Sequence, residues 1–151
     1  NMEMFTNYSL KKLSIPSELV NPYKDYSAVS LNAYKEDYAP FAKGVYTSNF
    51  FEEEWEQVLE YSPILGLYRF SDLYMTDYDF LFTWDGASTV KMQTAKTQTG
   101  YVHPSYGMVT AQFQASKYVE ETQTLMFQYA WTVSAGSFGS YVETFAITEK
   151  Y

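Results

Sequence analysis

From about Val45 to Ile147, apolar side chains recur at every second position rather than every third or fourth. Tyr78, Phe80, Phe82 and Trp84 alternate with Asp79, Leu81 and Thr83. Leu125, Phe127, Tyr129, Trp131 and Val133 alternate with Met126, Gln128, Ala130 and Thr132. A period of two puts one set of side chains on a single face of an extended ribbon, so both runs predict half-buried β-strands. Shorter runs predict strands over Gly44 to Ser48, Trp55 to Tyr61, Leu65 to Phe70, Thr89 to Gln93, Met108 to Gln114 and Ser140 to Thr148. No segment sustains helical spacing. Only Phe50 to Leu59, with its Glu52-Glu53-Glu54-Trp55-Glu56-Gln57 stretch of acceptable helix formers, competes as a helical turn.

Turn chemistry separates these runs. Asp85-Gly86 between two alternating runs predicts a hairpin, because a type I′ turn needs positive φ at both central residues; Ala87-Ser88 lengthens the loop to about four residues. Ser134-Ala135-Gly136-Ser137 predicts a second hairpin, and Ser62-Pro63 marks another turn. Gly100 to Gly107, with His103-Pro104 inside, reads as a loop. Hairpins in succession, with no room for crossover helices, predict an all-β fold. The expected architecture is an antiparallel meander of about eight to ten strands, forming a small barrel-like or two-layer sandwich domain. Its core should contain Phe80, Phe82, Leu125, Phe127, Trp131, Val133 and Phe145.

That domain is assigned to residues 41–151. Residues 1–40 differ: they hold Pro16, Pro22 and Pro40, and two alternating runs, Tyr8 to Ser14 and Ala28 to Tyr34, flank the segment from Pro16 to Pro22. They read as edge strands and linker, or as the tail of an upstream module. The start, Asn1-Met2-Glu3-Met4, is no basic-plus-apolar signal, so any targeting segment is expected upstream.

Composition narrows the chemistry. A net charge of −8 and a pI of about 4.5 disfavour nucleic acid and anionic membrane surfaces, leaving sugars, cations and proteins as partners. The absence of cysteine excludes thiol catalysis, disulfides and Cys-based zinc sites. His103 is the single histidine, and no Gly-x-Ser-x-Gly elbow accompanies it, so a Ser-His triad is not expected. Asp72, Asp77, Asp79 and Asp85 lack the spacing of a calcium loop, Asp85 being explained by its turn. Gly136-Ser137-Phe138-Gly139 lacks the lysine of a phosphate loop. No catalytic residue, metal or cofactor is therefore assigned.

Aromatic residues make up 20% of the chain. Those in one-face stripes belong to the core. Those expected in loops (Tyr101, Tyr106, Tyr74, Phe138 and Trp55) are the candidate ligand-binding residues, since planar rings stack on sugars and dominate many interfaces. A small carbohydrate-active hydrolase and a purely structural spacer are the alternatives.

Several strings carry a family resemblance: Lys43-Gly44-Val45-Tyr46-Thr47-Ser48, Gly66-Leu67-Tyr68-Arg69-Phe70, Tyr78-Asp79-Phe80-Leu81-Phe82-Thr83, Thr99-Gly100-Tyr101, Tyr106-Gly107-Met108-Val109, and Thr124 to Phe127 with Trp131 to Gly139. Over residues 41–151 the chain resembles the C-terminal β-rich domain of uncharacterised surface lipoproteins of Bacteroidetes. The resemblance implies an outer-membrane-anchored cell-surface or periplasmic location, with the lipid anchor upstream of this chain. It implies a glycan or another surface protein as partner. It carries no catalytic residue.

Overall fold

The computed structural model describes residues 37–151. The alternating runs expected over Tyr8 to Ser14 and Ala28 to Tyr34 lie outside the described residues. Nine strands follow in order: β1 (Ala39–Ser48), β2 (Glu53–Ser62), β3 (Leu67–Phe70), β4 (Phe80–Trp84), β5 (Val90–Met92), β6 (Lys96–His103), β7 (Gly107–Val119), β8 (Thr124–Val133) and β9 (Gly136–Lys150). All pairings are antiparallel, and the described residues contain no α-helix.

The strands form one sheet in the order β5-β4-β3-β2-β1-β9-β8-β7-β6. Two meanders, β1 to β5 and β6 to β9, are therefore joined by the first and last strands, from Ala42↔Lys150 to Ser48↔Glu143. The join demands close backbone approach. A Cβ built on Gly44 would lie 2.1 Å from the Ala146 carbonyl oxygen, so only glycine fits. The sheet curls into a half-barrel and packs its own concave face. Phe70 meets Phe127 and Phe145, Phe82 meets Phe127, and Phe80 meets Tyr129 from the opposite arm. Near the seam between the edge strands, the Ser116 hydroxyl of β7 donates to the Val90 carbonyl of β5.

The alternation read from the chain is the alternation of burial. Phe80, Phe82, Leu125, Phe127, Trp131 and Phe145 are buried. Val133 is only half-buried, because β8 ends there. The Asp85 carboxylate accepts from the amides of Ala87 (2.8 Å) and Thr89 (3.2 Å), closing the first hairpin over Gly86 at φ 82°. In the second, Val133 pairs with Gly136, so Ser134-Ala135 alone make the turn and β9 begins four residues before the predicted Ser140.

Three local expectations are corrected. The competing helical reading of Phe50 to Leu59 gives way to the predicted strand: Glu52 at φ 59° ends a turn, and Trp55 and Leu59 then pair with Tyr46 and Ala42 in β2. Partner strands override a weak helical preference there. The segment from Gly100 is not simply a loop. It completes β6, a strand whose inward positions include the polar Thr99, and the turn is confined to the residues between His103 and Gly107, which pair. Tyr101 and Phe138, expected in loops, stand on β6 and β9, whereas Trp55 stands on β2 as the strand predicted over Trp55 to Tyr61 requires.

Candidate functional site: an aromatic cleft at one end of the sheet

The β1–β2 turn, Asn49 to Glu52, folds over the end of the sheet. Phe50 stacks on Trp131 with ring centroids 4.4 Å apart and planes 2° from parallel. Phe51 reaches Tyr74 and Tyr101 at 5.2 and 5.4 Å. Asn49 anchors the turn by donating to the Val142 carbonyl (2.6 Å).

The β3–β4 connection closes over the same end. Asp72 and Asp77 hold positive φ of 51° and 75°, conformations that carboxamide and carboxylate side chains tolerate best after glycine. They and Asp79 are occupied in shaping the loop: the Asp72 amide donates to Asp79 Oδ1 and the Asp77 amide to Asp72 Oδ1, both at 2.7 Å. The loop seats directly on β6 at Gly100, where φ is 85° and a Cβ would lie 2.5 Å from the Tyr78 ring and 2.7 Å from Met75 Cβ.

Between turn, loop and strands opens a cleft of about 490 Å³, within the range of small-ligand sites. Its walls include Phe51, Trp55, Tyr74 and Tyr101, with Glu53, Gln57 and Asp72 as polar groups. Two of the rings are held by hydrogen bonds. The Trp55 indole N–H donates to Gln57 Oε1 (2.9 Å), and Gln57 Nε2 donates to the Ser71 carbonyl (3.1 Å). One face of Trp55 stacks on Tyr46 at 5.2 Å. Tyr74 donates its hydroxyl to Glu143 Oε1 (2.7 Å), and its oxygen lies 2.5 Å from the Tyr46 hydroxyl, which is left to donate to it.

Glu143 is a residue that sequence reasoning missed. It sits on β9 in line with Phe145 and is fully buried. Its carboxylate also accepts from the amide of Phe50 (3.2 Å), the Ser48 hydroxyl and the Asn49 backbone. Burial pushes its pKa up, and these donors offset only part of the rise. Burial, followed by charge and phenol neighbours including Glu143, drives Tyr46 and Tyr74 well above the ordinary phenol range. Glu143 thus fastens the turn bearing Phe50 and Phe51 to the loop bearing Tyr74. The sequence signal was an acidic residue on the inward parity of a core strand.

Of the five candidate residues, Trp55, Tyr74 and Tyr101 come together in the cleft. Tyr106 and Phe138 do not line it. They flank His103 at 5.0 and 5.4 Å in a neighbouring cluster, which touches Tyr101 through His103 at 6.3 Å. His103 Nδ1 accepts from the Ser105 amide (3.0 Å). Among the described residues, no serine hydroxyl bonds to it.

Fold and cleft define an all-β domain with a preformed aromatic site at one end of a curled sheet. No family model, curated protein or solved structure matches the chain.

Proposed function

We propose that this domain is a non-catalytic binding module whose end cleft takes a saccharide. The supporting observation is the cleft itself: aromatic walls, two of them fixed in orientation by hydrogen bonds, beside a carboxamide and two carboxylates. Flat rings cover the apolar faces of a sugar, and the polar groups meet its hydroxyls. Preorganised walls lose little side-chain freedom on binding. The reading extends to a bacterial surface lipoprotein as host, supported by the resemblance over residues 41–151. Nucleic acid is not among the proposed partners, given the charge of −8.

A glycan array followed by titration calorimetry tests the reading. Tyr101→Ala is the chosen variant, because Tyr101 is only half-buried and, unlike Trp55, is not stacked on Tyr46. We expect about a tenfold or greater loss of affinity with an unchanged thermal midpoint. An array signal that survives Tyr101→Ala, or no signal from the wild-type domain, removes the proposal. Release of reducing ends from a bound oligosaccharide would instead overturn its non-catalytic part.

A further inference from the structure

The cleft differs from a neutral sugar platform in two respects. Its rings do not lie in one plane. Trp55 and Tyr74 meet at 81° and Phe51 and Tyr101 at 88°, so the lining rings stand in different orientations. Its charge is one-sided as well: Glu53 and Asp72 line it, both exposed, and none of the lining residues is basic. Aromatic rings set at several angles beside carboxylates form an arrangement that attracts ammonium groups. The same arrangement repels an acidic sugar.

Resting on the saccharide reading, we infer that the cleft selects a cationic saccharide, one carrying a primary or quaternary ammonium group that enters among Trp55, Tyr74 and Tyr101. Glu53 and Asp72 supply the countercharge. The chain's net charge of −8 adds a long-range field that draws such a ligand and discourages uronic acids or sulfated glycans.

The test compares a tetramer of glucosamine with its fully N-acetylated counterpart, at mildly acidic pH where the amines are protonated, with choline as a third, sugar-free probe. We expect the amino tetramer to bind about tenfold more tightly than the acetylated one. Its affinity, unlike that of the acetylated tetramer, should fall as salt rises to physiological strength. Glu53→Gln and Asp72→Asn should each weaken the amino tetramer by about threefold more than they weaken the neutral one. Asp72→Asn keeps a side-chain oxygen for the Asp77 amide and suits the positive φ at that position, so the loop should survive.

Equal, salt-insensitive binding of both tetramers, weakened by Tyr101→Ala, overturns the charge selectivity and leaves the saccharide reading standing. Binding of choline with neither tetramer, abolished by Tyr101→Ala, keeps the ammonium site and overturns the saccharide reading. Absence of binding by all three probes overturns both.

Discussion

At the scale of single residues, Glu143 carries the sharpest consequence. A carboxylate buried with hydrogen-bond donors but, among the described residues, no cationic partner keeps a proton more readily than it would in the unfolded chain. Its folded pKa is raised above the ordinary 4.5. The stability it contributes is therefore fully present below that ordinary value, and is lost as pH rises through the folded value. Glu143→Gln removes this titration. The amide oxygen can still accept from one partner, and Tyr74 can turn its hydroxyl to accept from the new NH₂ group. The stability of Glu143→Gln relative to wild type should thus increase with pH above about 4.5 and then level off. Urea unfolding of both proteins over a pH series measures the difference. A difference independent of pH would mean that Glu143 titrates as an exposed glutamate does.

At the scale of elements, strands were legible wherever one face is apolar throughout. β4 and β8 read directly from Phe80-Phe82-Trp84 and Leu125-Phe127-Tyr129-Trp131, because the opposite arm of the curled sheet buries that face. β6 was not legible. Its inward positions carry Thr99, whose hydroxyl is satisfied by the Val109 carbonyl (2.8 Å), and Gly100 breaks its alternation with a bulge. A buried hydroxyl with a local acceptor looks polar in sequence and apolar in its consequences. The cleft was legible only in part. Aromatic type singled out Trp55, Tyr74 and Tyr101, which share the cleft, together with Tyr106 and Phe138, which local contacts hold beside His103 instead. The β1–β9 pairing was invisible, since no local signal specifies which distant strand a given strand meets. Gly44 is its one trace. Gly44→Ala would place a methyl against the backbone of Ala146 and Ile147, atoms that cannot rotate away. The expected loss is about 3 kcal/mol or more, at the upper end for overpacking. Chemical denaturation would register it, and a loss below about 1 kcal/mol would show that the two strands can part locally.

At the scale of the whole molecule, the two meanders are each built from neighbours in sequence, whereas their union is not. Thr148 donates to the Lys43 carbonyl across 105 residues of chain. Closing such a loop costs entropy before any contact between the arms repays it, which places the domain among the slow, non-local β-folders. The same arithmetic makes the domain one cooperative unit. The β1–β2 hairpin alone exposes Tyr46, Trp55 and Leu59 on one side, and the β7–β8 pair exposes Phe127, Tyr129 and Trp131; neither face is covered until β9 lies between them. β9 also delivers Phe145 to Phe70 and Glu143 to the turn over the cleft. Removal of residues 140–151 therefore should not trim an edge but divide the sheet at its centre. The truncated chain is expected to lose its cooperative thermal transition and to expose apolar surface that binds a hydrophobic dye, even though eight of the nine strands end before Gly136. Retention of a sharp transition near the wild-type midpoint would mean that β1 and β8 can pair directly, and that the arms, not their junction, hold the fold.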